Sequence, residues 1–363
     1  MAEKRVGVLT CGGDCPGLNA VIRAIVYAGK NAGREIVGFN DGFEGLLQPS
    51  RFDILQTKAT EDIMPLGGTI LGTTNKGHFV TKVGQGDKLT LADGVLEQTK
   101  KTLSDLNVEG LIIIGGDGSL TTAYDLFKAG IKTIGVPKTI DNDLSATAIT
   151  FGFDSAVSVV VDALDRLHTT AKSHKRVMVV EVMGRYAGWI ALHGGLAGGA
   201  DIILIPELPF YYEQVAEAVK KSTASGSLNT MVVVAEGAHA QDAGIVTKGD
   251  DGKSGEFKLG GIASQVARRI EDMTGRETRH VVLGHLQRGG APTALDRILG
   301  TRFGVGAIEL VNKDLWGHMV SYQNYLVGSV PFAEAVSKLK QVTDDNQLVR
   351  MCREVGIDFC DQH

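Results

Sequence analysis

The sequence predicts an α/β protein built as two Rossmann-like lobes with mainly parallel sheets. Apolar runs of strand length alternate with stretches of helical spacing from residue 5 onward, the pattern of a doubly wound sheet. The 47 glycines against 8 prolines, with 43% hydrophobic residues, suit a chain with many strand–helix turns. At 363 residues the chain exceeds the length at which one core usually stops growing, so two lobes are expected.

The first strand reads from Arg5 to Thr10 and breaks into Gly12-Gly13-Asp14-Cys15-Pro16-Gly17, after which Leu18 to Ala32 has helical spacing. Gly33 stops that helix, Glu35 to Phe39 is the next strand, and Asn40 to Gly45 is a turn. Residues 50–92 are less periodic and read as a loop-rich excursion of the kind that lids a site. A helix near 93–107 leads into the apolar run Leu111 to Ile114, and Thr133 to Val136 is a strand ending at Pro137. A second lobe follows: helix 154–172, strand 177–182, helix 186–197, strand 201–205, helix 211–224, strand 230–235, helix 261–273 and strand 280–284. Residues 239–260 read as a polar surface insertion.

A net charge of -5 gives no electrostatic case for nucleic acid or an anionic membrane. Cys11, Cys15, Cys352 and Cys360 lack the histidine spacing of a zinc site and are too few for a disulfide framework, so reduced thiols in a cytoplasmic protein are expected. Met1 to Arg5 leads straight into a strand without a signal peptide, and no apolar run is long enough to span a bilayer.

The chemistry centres on Gly115-Gly116-Asp117-Gly118-Ser119, where a buried strand breaks into glycines and a carboxylate before the helix-like Leu120 to Tyr124. Bare backbone N–H groups and a positive helix end suit a phosphate chain. Asp117 facing phosphate implies a shared Mg²⁺, since two anions repel; the plain alternative is a strand-to-helix turn with Asp as N-cap. Pro137-Lys138-Thr139-Ile140-Asp141-Asn142-Asp143 follows a strand directly. Asp141 and Asp143 fit a division between proton acceptor and metal-linked electrostatics, against the plainer reading of a Pro-initiated turn with Asx hydrogen bonds.

Six motifs in order, Gly12-Gly13-Asp14, Gly115 to Ser119, Thr139 to Asp143, Met183-Gly184-Arg185, Gly275-Arg276-Glu277-Thr278-Arg279 and Gly284-His285-Leu286-Gln287-Arg288-Gly289-Gly290, resemble those of 6-phosphofructokinases from about residue 5 to 330. The resemblance implies ATP-dependent, Mg²⁺-requiring phosphorylation of fructose 6-phosphate to fructose 1,6-bisphosphate. It implies Asp141 as the base at the sugar's 1-hydroxyl and Arg185 against the transferring phosphoryl group, with Thr139, Lys138 and Asp143 beside them. Gly13, Gly116, Asp117, Gly118, Ser119, Asn75 and Lys76 fall at donor positions, Asp117 on the metal. Thr139, Ile140, Asp141, Met183, Gly184, Arg185 and Glu236 match sugar contacts, while Arg176, Arg279, His285, Leu286, Gln287 and Arg288 match the 6-phosphate end. In the family the places of Arg176 and Arg279 reach in from a neighbouring subunit, so a homotetramer with shared sites is expected, a dimer being the fallback.

The expected division is residues 1–152 with 287–337 as the donor lobe and 153–286 with 338–363 as the sugar-phosphate lobe. On the donor the family pattern gives two signals. Glycine at the place of Gly118 goes with ATP, and lysine at the place of Lys138 is typical of pyrophosphate enzymes; the pair resembles the mixed-substrate group, whose glycine-plus-lysine members use ATP. Asn75-Lys76 stands where short bacterial enzymes have Arg-Phe, so a bridging charge is expected from Lys138 or Lys76. Arg23 matches the bacterial effector pocket, but Tyr27 and Ser227-Leu228-Asn229 depart from it, so control by ADP or phosphoenolpyruvate there is not expected. The alternatives are a reversible pyrophosphate-dependent enzyme and a catalytically silent sugar-phosphate sensor; NAD and lipid kinases share the glycine loop but not the His285 to Arg288 cluster.

Overall fold

The structure is a computed structural model that describes residues 4–74, 76–79, 91–241 and 260–361. The chain opens with β1 (Lys4–Thr10), α1 (Leu18–Asn31), β2 (Arg34–Phe39), β3 (Phe52–Leu55), α2 (Asp93–Asp105), β4 (Val108–Gly115), α3 (Asp117–Lys128) and β5 (Thr133–Pro137). It continues with α4 (Phe153–His174), β6 (Val177–Val182), α5 (Trp189–Ala197), β7 (Ile202–Leu204), α6 (Tyr212–Ala224), β8 (Thr230–Ala235), α7 (Ile262–Thr274) and β9 (Thr278–Val282). The last elements are α8 (Ala294–Asn312), β10 (His318–Gln323), β11 (Leu326–Pro331), α9 (Phe332–Ala335) and α10 (Gln347–Glu354).

Two compact units result, one of residues 1–140, 144–155 and 288–339, the other of residues 141–143, 156–287 and 340–363. The first unit holds a seven-stranded sheet ordered β11-β10-β5-β4-β1-β2-β3. Pairing is parallel from β10 through β5, β4 and β1 to β2, and antiparallel only at the two edges, where β3 and β11 attach. A parallel sheet covered on both faces needs strands apolar throughout, and Leu111 to Ile114 of β4 are all 0% exposed.

The elements after residue 284 go beyond the sequence reading. Helix α8 lies along α1, and its Gly300 and Gly304 share one face. A Cβ at Gly304 would sit 2.6 Å from the Val21 carbonyl oxygen and 2.7 Å from the Ala24 Cβ, so only glycine permits this approach. Near the start of α8 the buried Asp296 carboxylate accepts from the Ser155 N–H (2.8 Å) and hydroxyl (2.6 Å), and burial pushes its pKa up to about 6.

The second unit holds a four-stranded sheet ordered β7-β8-β6-β9, parallel throughout. Val177, Val179, Val232 and Val234 form its core with Ile202, Leu204, Val266 and Ile270. Glu181 is 2% exposed within this sheet and accepts from the N–H groups of Gly261 and Ala263 at the start of α7, so the helix dipole balances a carboxylate that would otherwise be costly to bury. Helix 186–197 of the sequence reading begins at Trp189, since Gly184 to Gly188 form a loop. Within the expected 239–260 insertion, residues 242–259 lie outside the described residues. Among the described residues no helix is long and apolar enough to cross a membrane.

Candidate active site

In the first unit, the carboxyl ends of β1, β4 and β5 bring two glycine loops together. The Cys11 N–H donates to the Ile114 carbonyl (3.0 Å) and the Lys138 N–H to the Gly115 carbonyl (2.9 Å), so three strand ends are laced side by side. A Cβ on Gly115 would run into the Ser119 side chain, and one on Gly116 would lie 3.2 Å from the Lys138 carbonyl oxygen. Gly116 caps α3, and Gly116 to Ser119 remain partly open to solvent at the positive end of the helix. Asp117 is the first residue of α3 rather than its cap.

Lys138 is 4% exposed, and its Nζ donates to the Gly13 carbonyl oxygen at 2.5 Å. A Cβ on Gly12 would come within 3.4 Å of that ammonium and 3.5 Å of the Ser119 hydroxyl, so both loops and the lysine converge. Burial pulls the lysine's pKa below the ordinary value, and Cys15 and Cys11 rank among the smaller opposing influences. The same burial pushes the Cys11 and Cys15 thiols up to about 12, which makes them poor nucleophiles. Arg288 joins this cluster: its Nη1 donates to the Asp14 carbonyl at 3.1 Å.

Loop 69–74 is tied to the end of β1. The Thr10 hydroxyl donates to the Gly72 carbonyl (2.7 Å), the Thr73 hydroxyl to the Gly12 carbonyl (2.7 Å), and the Gly12 N–H to the Thr74 carbonyl (3.1 Å). Lys76 is exposed and held through its N–H by the Thr74 hydroxyl, whereas Asn75 lies outside the described residues. Thr139 is partly exposed, whereas Ile140, also expected at the sugar, is 0% exposed. At the expected effector position the Arg23 guanidinium lies 4.3 Å over the Tyr27 ring and donates to the Glu61 carbonyl.

The second unit carries the rest. Asn142, between the two carboxylates, adopts φ 52 and is 5% exposed. A left-handed residue there turns the chain sharply between Asp141 and Asp143, and Asn tolerates that region better than most residues. Met183 to Arg185 follow β6 directly, with Gly184 at φ 139 and its carbonyl accepting from the Gly237 N–H (3.1 Å). The Glu236 N–H donates to the Val182 carbonyl (2.9 Å), which sets Glu236 beside that loop at the carboxyl end of the sheet. The Arg185 guanidinium lies 5.3 Å from the Tyr186 ring. His285 and Leu286 are exposed, while Gln287 is 0% exposed and accepts from the Met183 N–H (3.3 Å), bracing the loop.

Arg176 and Arg279 are not brought to this end. Arg176 immediately precedes β6, and Arg279 pairs in register with Met178, so both stand at the amino end of the sheet. Six strand residues separate that edge from Met183, about 20 Å at the usual rise. Both guanidinium groups share the Glu277 Oε1, at 2.7 and 2.6 Å. The hydrogen bond from Arg176 is the leading cause holding the Glu277 carboxyl below its usual range. Glu277 lies inside the motif Gly275 to Arg279, and the resemblance gave it no role of its own.

Among the described residues no group of three or more His, Cys, Asp or Glu is placed to hold a metal. A Mg²⁺ ion held by one carboxylate, with phosphate oxygens and water completing its shell, would need no such group, and Asp117 in the partly exposed first turn of α3 could supply that carboxylate.

A sequence model described as Phosphofructokinase matches residues 5–311. The ATP-dependent 6-phosphofructokinase of Chloroflexus aggregans is 49% identical over 99% of either chain. The pyrophosphate–fructose 6-phosphate 1-phosphotransferase of Streptomyces coelicolor is 48% identical over 98% of this chain and 99% of its own. Among solved structures, Pichia pastoris phosphofructokinase in the T-state superposes with a TM-score of 0.81 at 30% identity, over 99% of this chain and 37% of the longer one. With a family model matched over residues 5–311 and relatives matched over almost the whole sequence, this chain belongs to the phosphofructokinase family.

Proposed function

We propose that the protein is an ATP-dependent 6-phosphofructokinase of cytoplasmic glycolysis, a phosphotransferase moving the γ-phosphoryl group of ATP to the 1-hydroxyl of fructose 6-phosphate. The observation that carries this is the convergence of Gly12, Gly13 and Ser119 on the Lys138 ammonium, three residues before Asp141 in the chain. On this reading the first unit takes the nucleotide and the second the sugar phosphate. The name of the Chloroflexus relative supports ATP as donor.

Asp141 accepts the proton of the attacking hydroxyl. A carboxylate is a weak base toward an alcohol, but phosphoryl transfer through a loose transition state lets the proton leave late, when the oxygen is already bonding to phosphorus. Arg185 meets charge that spreads over the equatorial oxygens, and its fixed fork costs little to order there. Asp117 would hold a Mg²⁺ ion, whose positive charge would offset that of the polyphosphate. Thr139, Met183, Gly184 and Glu236 orient the sugar; His285 and Arg288 serve its 6-phosphate.

Arg176 and Arg279 act on a neighbouring copy. Their position at the amino edge, about 20 Å from Met183 by strand rise, supports a site completed between subunits of a homotetramer. Dilution to monomers is expected to abolish turnover in step with dissociation followed by light scattering. Monomers of full specific activity would remove the shared site.

A pyrophosphate-dependent reaction is the second reading, favoured by the buried Lys138 ammonium and by the name of the Streptomyces relative. One coupled assay separates the readings: fructose 1,6-bisphosphate formation with ATP, with pyrophosphate, and with neither. Turnover with ATP at least tenfold above pyrophosphate is expected. The reverse order overturns the donor assignment, and silence with both leaves a sugar-phosphate sensor.

A further inference from the structure

Residues 340–342 lie outside every motif of the family pattern, yet three consecutive residues reach both loops on which the reaction depends. The Lys340 Nζ donates to the Asn142 Oδ1 at 2.9 Å, and the Lys340 N–H to the Asp143 carbonyl at 2.7 Å. The Lys340 carbonyl accepts from the Trp189 indole N–H at 2.7 Å, and its ammonium lies 5.8 Å from the Trp189 ring. Next, the Gln341 amide donates to the Tyr186 carbonyl at 3.0 Å. The Val342 N–H donates to the Glu207 Oε1 at 2.9 Å, and that carboxylate also accepts from the Gly188 N–H at 3.0 Å. All these contacts fall within the second unit.

We propose that Lys340–Val342 is a positioning strap that fixes the Asp141–Asp143 turn and the Arg185–Trp189 loop, with Lys340 setting the direction of the Asp141 carboxylate through Asn142. The proposal rests on the phosphofructokinase reading. Asn142 is the pivot because its left-handed backbone decides where the flanking carboxylates point, and a side chain gripped at its amide oxygen cannot let that backbone relax. Lys340 binds the Asn142 side chain and the Asp143 carbonyl, with the Asp143 carboxylate as the charge that favours its ammonium, and it acts on Asp141 through that turn as a positioning residue. A loose transition state asks chiefly for placement, and sub-ångström errors in a base cost rate more than affinity.

The test is Lys340→Met, Asn142→Ala and the double variant, in a Trp316→Phe background so that Trp189 is the remaining tryptophan. Lys340→Met is expected to lower kcat about thirtyfold with KM for fructose 6-phosphate changed less than twofold. The loss in the double variant should fall short of the product of the two single losses, because the two side chains share the Lys340–Asn142 hydrogen bond. Trp189 emission should keep its buried wavelength. Unchanged kcat, losses that multiply in the double variant, or a red shift of Trp189 with kcat and KM worsening together would each overturn the proposal. If the parent protein is inert with both ATP and pyrophosphate, the phosphofructokinase reading fails first and takes the proposal with it.

Discussion

Asp141→Asn is expected to lower kcat about a thousandfold while leaving the KM for fructose 6-phosphate within threefold. General-base removal costs roughly 10²–10⁴ in rate. The amide has nearly the same shape, so the turn through Asn142 at φ 52 survives, and with it the Lys340 contacts to Asn142 and Asp143. What disappears is the ability to take a proton at the moment the sugar oxygen bonds to phosphorus. Steady-state kinetics by coupled assay, with circular dichroism to show the fold intact, measure it. A loss below tenfold would hand the role of base to Asp143, the other carboxylate of the same turn, and Asp143→Asn in parallel decides that directly.

The sequence made the two glycine loops legible because each glycine there answers a local demand that no other residue meets, such as the Ser119 side chain packed where a Gly115 Cβ would go. Strands β4 and β6 were equally plain, since a strand buried on both faces is mostly apolar, with Glu181 of β6 tolerated because the N–H groups at the start of α7 satisfy it. The start of α5 was less so: Tyr186 and Ala187 fit helical spacing, but they belong to the loop held by Glu207 and Gln341, partners far away in sequence. The crossing of α1 and α8 at Gly300 and Gly304 depends on a pairing of helices nearly three hundred residues apart, and periodicity within either helix cannot announce it. Lys340 was invisible for the same reason. A lysine two residues after another reads as a solvated surface pair until the chain that returns beside Asn142 is known. Arg176 and Arg279 were singled out by the family resemblance, but only the register of β6 with β9 puts them at the sheet's amino edge.

Gly118→Asp should lower kcat/KM for ATP about a hundredfold and change that for pyrophosphate less than threefold. The substitution is mild for the fold: residue 118 lies in the first turn of α3, whose carbonyl accepts the Thr122 hydroxyl at 3.1 Å, and an acidic residue there is favoured by the helix dipole. It is severe for the ligand. At an effective dielectric of about 20, a carboxylate roughly 5 Å from a phosphate charge costs about 3 kcal/mol, which is about two powers of ten in affinity. A nucleotide presents a third phosphate group to this turn, whereas pyrophosphate ends two groups along and leans instead on Lys138, whose ammonium sits at the Gly13 carbonyl. The same variant therefore separates the donors by charge geometry alone, with the fold and the sugar site held constant. Equal losses with both donors would mean that the turn grips only the phosphates common to the two, and Gly118 would no longer be a reason to choose ATP.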